Sequence, residues 1–203
     1  MNNEITTLKS SIDVMHLIHK ALRGEAERVV ATADDMATAD DLKAVKEGFN
    51  FWAKALGYHA VNEDKYMTGP IANSMIAREN EEEHARLGER IGNTATCLSK
   101  EFSDGNLSIR GHRHFYGCVV ALQVAQNAHL EEEVEFVLPL VKERMADEQQ
   151  LEIALRLLWD ETAKDKRWVA AWVSKSLSAR EKKLLADLEE ELTKETVEGI
   201  YLQ

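Results

Sequence analysis

An unbroken helical periodicity runs through residues 42–66 and limits the ways in which this chain can fold. Apolar residues recur there at alternating steps of three and four, the spacing that places side chains on one face of an α-helix. His59 and Glu63 fall on the same steps, so two ionisable side chains are predicted to face the core. The stripe consists of Leu42, Val45, Phe49, Trp52, Leu56, His59, Glu63 and Tyr66.

The same spacing of histidine and glutamate recurs seventy residues later, in His129 and Glu133. Each pair is followed by a proline, Pro70 or Pro139, and the chain has only these 2 prolines. Two such pairs on two helices could face each other across a shared core. The stripe on this later helix consists of Phe115, Val119, Leu122, Gln126, His129, Glu133, Phe136 and Leu140.

Two further stripes each bring one histidine to the core, His19 in the first helical stretch and His84 in the third. Counting residues from the predicted turns places these histidines at depths compatible with His59 and His129. His16 is predicted to be largely solvated, because the helical face that it shares is charged. His112 lies seventeen residues from His129, or about 25 Å along a helix, and is excluded from the same site. The two stripes consist of Ile5, Leu8, Ile12, Met15, His19, Leu22, Ala26 and Val29, and of His84, Leu87, Ile91, Thr94 and Leu98.

Composition and turn signals favour an all-α fold. Only 2 prolines and 10 glycines interrupt 203 residues that are rich in Ala, Leu, Glu and Lys. Helical patterns cover residues 6–33, 38–67, 77–102 and 107–145, with turn signals at 68–70 and 103–106. Because such short connections make consecutive helices antiparallel neighbours, we predict an up-down-up-down four-helix bundle over residues 1–146. Residues 147–203 are predicted to form a C-terminal helical extension.

The extension has helical signals of its own. Residues 149–159 and 166–177 show helical spacing, and residues 178–181 form a capping box that opens a last helix through residue 192. Its tryptophans, Trp159, Trp168 and Trp172, are predicted to pack back on the bundle, because exposed tryptophans favour association. A partner surface is the alternative. A leucine face could equally lie in a homodimer, and it consists of Leu184, Leu185, Leu188 and Leu192.

Charge and hydropathy argue against several classes of partner. A net charge of −11 without clustered Lys and Arg disfavours binding to nucleic acid and to anionic membranes. The sequence has no evident targeting segment and no run near twenty apolar residues, so we expect a cytoplasmic protein. Cys97 and Cys118 lack CxxC spacing and are predicted to be small core residues rather than a disulfide or a thiolate metal site.

Six ionisable side chains at one level of an apolar core need an explanation. A buried carboxylate costs several kcal/mol unless it is paired or bound to a cation. Four imidazoles and two carboxylates supply the nitrogen and oxygen donors that suit first-row transition metals, whereas the alternative is a buried hydrogen-bond network. A ferritin-like site would need two Glu-x-x-His pairs, and only Glu81 with His84 has that spacing. The predicted metal ligands are His19, His59, Glu63, His84, His129 and Glu133.

Four short motifs in this order resemble those of the hemerythrin-like proteins, the HHE cation-binding family. The motifs are HKALR at 19–23, HAVNED at 59–64, EEHARL at 82–87 and HLEEE at 129–133, and the resemblance covers about residues 10–145. It implies a non-haem diiron centre in which His19 and His59 bind one iron, His84 and His129 bind the other, and the two glutamates bridge the irons. Zinc or manganese would suit the same donors.

The chain departs from the pattern of the family at two positions. Oxygen-carrying hemerythrins have a further histidine one turn before the third-helix ligand, where this chain has Asn80, and many relatives have a second histidine where this chain has Ala60. The missing histidine would open a coordination position and argues against a pure oxygen carrier.

Three functions remain open at the level of sequence. The first is a protein that binds or senses oxygen or another small oxidant, which the apolar lining of the site favours. The second is a diiron enzyme, such as an oxidase, a peroxidase or a nitric-oxide-handling protein, for which Asn80 and Tyr66 are the motivating residues. The third is a metal-free interaction module with incidental core histidines.

Overall fold

A computed structural model describes residues 4–102 and 108–197 of the chain. Every regular element in these two ranges is helical, and no strand occurs within them. The turn predicted at residues 103–106 and the predicted start of the fourth helix at Leu107 lie outside the described residues. No helix in the described part of the chain is both long enough and apolar enough to span a bilayer. The α-helices are α1 (Val14–Asp34), α2 (Ala39–Asn62), α3 (Met75–Glu101), α4 (Ile109–Glu132), α5 (Leu138–Arg144), α6 (Asp147–Leu158), α7 (Trp168–Lys175) and α8 (Ala179–Val197).

The four long helices surround one apolar core. Helix α1 packs against α2 and α4, while α3 packs against α4 and α2, so each long helix has two long neighbours. The predicted stripes supply the centre of this core, with Phe49, Trp52, Leu56, Phe115 and Leu122 each exposed by 2 % or less. Burial of these large side chains is the main source of stability for such an arrangement.

Two π-helical segments interrupt the α-helical periodicity, at Glu63–Thr68 after α2 and at Glu133–Val137 between α4 and α5. A π turn holds one more residue than an α turn, so after each segment the position that faces the core is one residue later in the sequence than α-helical spacing predicts. Met67 and Val137 are buried, whereas Tyr66 is half-buried and Phe136 is 49 % exposed. The prediction that Phe136 continues its core stripe is therefore wrong, whereas Tyr66 packs against the core but is only partly buried.

The first helix begins later than its apolar pattern predicts. Residues 4–10 are not helical, and a short 3-10 turn, Ser11–Asp13, precedes α1. The Asp13 carboxylate accepts hydrogen bonds from the backbone amides of Lys9 (2.7 Å) and Ser10 (3.1 Å), which satisfies donors that a helix start leaves free. The predicted start near Thr6 is wrong because this cap fixes the helix start at Ser11.

The C-terminal helices pack back on the long helices, as the sequence predicts for its tryptophans. The rings of Trp168 and Trp172 make edge-to-face contacts with Phe51 of α2, with centroids 6.0 and 5.7 Å apart. The indole nitrogen of Trp172 also donates a hydrogen bond to Glu25 of α1 (3.2 Å). In α8, Leu185, Leu188 and Leu192 are buried within the single chain, so no second subunit is required to cover them.

A buried carboxylate, Glu181, fastens the start of α8 to the first helix. It accepts hydrogen bonds from the ammonium group of Lys20 (2.7 and 2.8 Å) and from the backbone amides of Ile5 (3.0 Å) and Ser178 (2.9 Å). Burial alone would raise the pKa of Glu181, but the hydrogen bonds from Lys20, Ser178 and Ile5 outweigh it and lower the pKa. The ionised form is therefore the one that the fold stabilises.

Replacing Glu181 with glutamine should destabilise the protein in a pH-dependent way. At pH 7 we expect a loss of roughly 2–4 kcal/mol in the free energy of unfolding, because Lys20 loses its buried partner. A carboxyl with a lowered folded-state pKa stabilises the protein above its unfolded pKa and loses this effect as the pH falls through the folded value. Urea titrations at pH 7 and near pH 3 should therefore show the difference from wild type shrinking in acid. Glu190→Gln, at a solvent-exposed pair with Lys194, is the matched control, and a difference that is constant with pH would contradict this account.

Candidate metal centre

The structure brings all six predicted ligands into one cluster between the four long helices. His19 comes from α1, His59 from the end of α2, His84 from α3 and His129 from the end of α4. Glu63 and Glu133 are the first residues of the two π segments. Each of the six residues is exposed by 6 % or less.

The cluster divides into two groups that share both carboxylates. One group contains His19, His59, Glu63 and Glu133, and within it one ligand atom from each residue lies within 4.8 Å of the others. The second group contains Glu63, His84, His129 and Glu133 at the same spacing. Opposite ligands on one metal ion are about 4.2 Å apart for bonds of about 2.1 Å, so either group has the dimensions to surround an ion.

Glu133 contacts three of the four histidines. Its carboxylate oxygens lie 3.2 Å from Nε2 of His19, 3.0 Å from Nε2 of His129 and 3.3 Å from Nε2 of His84. Glu63 lies 3.4 Å from Nε2 of His59 and 3.2 Å from Nε2 of His84. The Nε2 atoms of all four histidines therefore point at the two carboxylates.

Most of these buried atoms lack a hydrogen bond of acceptable geometry, although they approach one another closely. The unpartnered atoms include both ring nitrogens of His19 and of His59, Nε2 of His129, both oxygens of Glu63 and Oε2 of Glu133. Buried polar atoms in folded proteins are nearly always hydrogen-bonded or bound to an ion. Metal ions fit this donor set, because they would satisfy the inward-pointing nitrogens and oxygens together.

Burial and close contacts shift the pKa values of the clustered histidines and glutamates when no metal ion is bound. Burial lowers the pKa of His59 well below its usual value, and burial also lowers the pKa of His19. Burial and the neighbouring Glu133 raise the pKa of Glu63 well above its usual range. Burial likewise raises that of Glu133, but the imidazoles of His129, His19 and His84, which lie 3.0–3.3 Å from its oxygens, outweigh it and hold the pKa well below its usual value. Without a metal ion, a proton on Glu63 and a positive charge on a neighbouring residue both relieve the repulsion between the two carboxylates.

His84 supplies that positive charge in the metal-free protein. Burial lowers its pKa, but hydrogen bonds with Asp64 and Glu133 and the nearby carboxylate of Glu63 outweigh burial and raise the pKa to about 12. Its Nδ1 lies 2.6 Å from a carboxylate oxygen of Asp64, which is 37 % exposed. Asp64 thus holds the outer nitrogen of the ring and leaves Nε2 directed inward, as outer carboxylates do for metal-binding histidines.

The role of Asp64 beside His84 was not predicted from the sequence. It follows Glu63 directly and lies outside the three-and-four stepping, so an α-helical pattern places it beside the core stripe. The π segment that begins at Glu63 alters this face of the helix. The signal that was available is the run of two acidic residues after the histidine, at positions 63 and 64.

Replacing Asp64 with asparagine should weaken metal binding without removing a ligand. We expect metal affinity to fall roughly 10–100-fold, because His84 loses the carboxylate that fixes its orientation and its tautomer. Competition with a chromophoric chelator measures this change. Glu135→Gln removes an exposed carboxylate from the other π segment and is the matched control. Equal affinities in the Asp64 variant and in wild type would show that Asp64 does not position His84.

The local sequence explains why the π segments form where they do. Proline has no amide hydrogen, and its ring crowds the carbonyl four residues earlier. For Pro70 and Pro139 that carbonyl belongs to Tyr66 and Glu135, which lie inside the two π segments. A Cβ at Gly69 would lie only 2.6 Å from the carbonyl oxygen of Asp64, so the end of the first segment requires glycine. The widened turns begin at the glutamates of the cluster.

A surface pocket of about 450 Å³ reaches the cluster beside His129. Its inner lining includes Asn80, which is buried and whose side-chain Nδ2 makes no hydrogen bond. Phe136 and Val137 supply an apolar wall. The outer lining is mostly acidic and consists of Glu79, Glu82, Glu83 and Glu132 together with Arg86. The buried side chain of Asn80 thus lines the same pocket as His129.

Other residues that the sequence singled out lie apart from the cluster. Tyr66 lines a different surface pocket with Met145 and Gln149, and none of the six clustered residues lines that pocket. Nε2 of His112 donates a hydrogen bond to the carbonyl oxygen of Ala33 (2.7 Å), far from His129 along α4. His16 is half-buried, with its side chain 33 % exposed, and is less solvated than its charged face predicts.

The ferritin-like alternative finds no support in the described residues. Glu81 is not a member of either four-residue group, and its carboxylate lies 3.4 Å from the hydroxyl of Thr68. Gln126, three residues before His129, is fully buried and accepts a hydrogen bond from the indole nitrogen of Trp52 (2.6 Å). The amide oxygen of Gln126 is therefore already engaged.

Comparison with protein-family models, with curated proteins and with solved structures returns no match. The geometry of the cluster must therefore support any functional assignment by itself.

Proposed function

We propose that this chain is a hemerythrin-like four-helix bundle that holds two iron ions in its core. His19 and His59 would bind one ion, His84 and His129 the other, and Glu63 and Glu133 would bridge them. The single observation that carries the proposal is the pair of four-residue groups that share both carboxylates, with every member buried. The unpartnered nitrogens and oxygens within these groups support it further.

The function that we propose is the binding or sensing of oxygen or a related small oxidant. Iron, when bound, would supply reversible redox chemistry at the centre of the core. The protein would give a small molecule access to the ions through the pocket beside His129. It would also keep water out of the core, where Trp52 and Gln126 are fully buried and hydrogen-bonded to each other. Asn80 offers an unpartnered amide donor at the inner end of this route.

The charge of the site suits a small neutral ligand. Glu79, Glu82, Glu83 and Glu132 line the outer pocket, with Arg86 as the one basic residue in its lining. Anionic substrates would be repelled by such a rim, whereas neutral molecules such as oxygen or peroxide would not. Phe136 and Val137 form an apolar part of the pocket wall, which would favour a poorly hydrated ligand.

A diiron enzyme is the second candidate, and the pocket is the observation that favours it. An oxygen carrier needs only a narrow route for a diatomic molecule, whereas about 450 Å³ would also admit a larger co-substrate. Asn80 remains the residue of interest for this alternative. Tyr66 no longer supports it, because that ring lies in another pocket.

Metal analysis followed by an oxygen titration tests the proposal. Freshly purified protein should contain close to two metal ions per chain, predominantly iron, as the two groups require. Anaerobic reduction and then exposure to oxygen should give a visible absorption change that reverses when oxygen is removed. Immediate, irreversible oxidation with turnover of peroxide would favour the enzyme and overturn the binding function. Zinc in place of iron would overturn the redox function while leaving the metal centre intact, and manganese in place of iron would overturn the assignment of iron.

A further inference from the structure

A second cluster of metal-binding side chains lies between α3 and α4, outside the six-residue core cluster. It contains Cys97, His114 and Cys118, and one ligand atom from each lies within 4.8 Å of the other two. Cys118 lies eleven residues before His129 on the same helical axis, or about 16 Å away. The two clusters therefore cannot share an ion.

Helical spacing builds this cluster from both sides. His114 and Cys118 are four residues apart on α4, and Cys97 and Glu101 are four residues apart on α3, so each pair lies on one helix face. The facing pairs meet where α3 packs against α4. Their positions in the sequence, twenty-one residues apart for the cysteines, gave no sign of this meeting.

Glu101 orients the histidine. Nδ1 of His114 lies 2.8 Å from a carboxylate oxygen of Glu101, and this hydrogen bond leaves Nε2 as the nitrogen free to bind a cation. Gly111 permits the approach, because a Cβ at that position would lie 3.0 Å from the other carboxylate oxygen of Glu101. The same arrangement of carboxylate, histidine and metal holds the imidazole ligands of zinc sites.

The three side chains of this second cluster differ in solvent exposure, from the buried Cys97 to the exposed His114. Cys97 is 6 % exposed, Cys118 is half-buried and the side chain of His114 is 61 % exposed. An ion can therefore enter from solvent on the histidine side and reach the sulfur atoms within the protein. The prediction that both cysteines are merely small core residues fits Cys97 and overlooks the half-exposed position of Cys118.

The geometry points to a zinc site formed by Cys97, His114 and Cys118, with Glu101 as the positioning residue. Two thiolates and one imidazole are a preferred donor set for zinc, and a water molecule completes the tetrahedron when the protein supplies three ligands. Ligand atoms around zinc are about 3.4–3.8 Å apart for the usual bond lengths, and the three ligand atoms here already lie within 4.8 Å of one another. On binding, each thiol loses its proton to solvent and forms a bond from sulfur to zinc.

A reactive cysteine is the alternative use of this cluster, and the surroundings do not favour it. Burial and the neighbouring Cys118 thiol raise the pKa of Cys97 to about 12. Nucleophilic and redox-sensing cysteines have lowered pKa values, because the thiolate is the reactive form. A zinc ion, in contrast, supplies the positive charge that makes the thiolates stable.

Titration of the full-length, fully reduced protein with cadmium ions tests the site directly. Cadmium bound to thiolates absorbs in the ultraviolet, and the core cluster has no sulfur ligand, so the signal reports this site alone. We expect the absorption to saturate at one cadmium per chain, to vanish in Cys118→Ser, and to be displaced by zinc. His114→Ala should keep the absorption but weaken affinity at least tenfold. His112→Gln, two residues away on α4, is the matched control and should behave as wild type.

Three results would overturn the assignment. They are the absence of the absorption while both thiols titrate as free, its persistence in Cys118→Ser, and unchanged affinity in His114→Ala. Far-ultraviolet circular dichroism verifies that each variant is folded. Repeating the titration in Glu133→Gln separates this site from the core, because the cadmium signal should survive there even if the core binds no metal.

Discussion

Glutamine in place of Glu133 is expected to remove metal from both halves of the core cluster. Glu133 belongs to both four-residue groups, and its oxygens lie 3.0–3.3 Å from the Nε2 atoms of three histidines. Glutamine keeps the shape of the side chain but removes the negative charge that the cations require. Metal content should fall from about two ions per chain to well below one, because a shared ligand is lost to both.

A histidine variant gives the informative contrast. His19 belongs to only one of the two groups, so His19→Ala should leave the group of Glu63, His84, His129 and Glu133 complete. We expect this variant to retain about half of the metal, measured by mass spectrometry of acid-digested protein after gel filtration. His16→Ala, three residues earlier on α1 and outside both groups, is the matched control. Full retention of metal in Glu133→Gln, or equal loss in the Glu133 and His19 variants, would contradict the shared-carboxylate arrangement.

Removal of metal by a chelator is expected to lower the melting temperature substantially. A ligand that binds only the folded state at a hundred times its dissociation constant stabilises it by about 2.7 kcal/mol. For a chain of this size, 1 kcal/mol corresponds to roughly 2–4 °C, so chelation should lower the melting temperature by at least about 5 °C. In the metal-free state Glu63 and Glu133 share His84 as their source of positive charge, while the nitrogens of His19 and His59 make no hydrogen bond.

The same measurement distinguishes the metal centre from a metal-free interaction module. Glu133→Gln should show little response to the chelator, because it has little metal to lose. Differential scanning calorimetry of both proteins, with and without chelator, therefore gives a four-way comparison. Well under one iron per chain in native protein, with an unchanged melting temperature on chelation, would favour the interaction module and overturn the metal centre.

The convergence of the six core residues could be predicted because each depends on only one helix at a time. Three-and-four stepping identifies the inward face, and counting from the turns gives the depth, so His59 and His129 could be matched without knowledge of the packing. The structure places these side chains together and buries them. Whether they bind metal stays a prediction that the variants above test.

Features that depend on a change of helical geometry could not be predicted in the same way. Stepping at 3.6 residues per turn assigns Tyr66 and Phe136 to the core, but the π segments bring Met67 and Val137 there instead. Each segment was marked only by the proline that follows it. A proline more often marks the end of a helix than a π segment, so the sequence pattern alone cannot distinguish between the two.

Contacts between side chains on two different helices could not be predicted from the sequence either, because they depend on how far one helix is shifted along the other. The meeting of Cys97 with His114 and Cys118 requires the register between α3 and α4, and residues 103–107 between them carry no motif that fixes it. The hydrogen bond between Asp64 and His84 likewise joins two helices. Such pairs become visible only when the packing is known.

The two π segments have a consequence for how this protein tolerates insertions and deletions. Each segment holds one residue more than an α-helix would need, and it begins at the glutamate that lies four residues after a histidine of the cluster. Loss of a single codon at Lys65 can be absorbed by reverting the turn to α-helix, leaving His59 and Glu63 in place. Loss of a codon between Phe49 and Leu56 cannot be absorbed in this way, because that part of α2 has no extra residue. It would rotate the preceding part of α2 by about 100° relative to His59 and Glu63. The segments that contribute the two glutamates of the cluster are thus also places where a helix can lose one residue and keep its inward face.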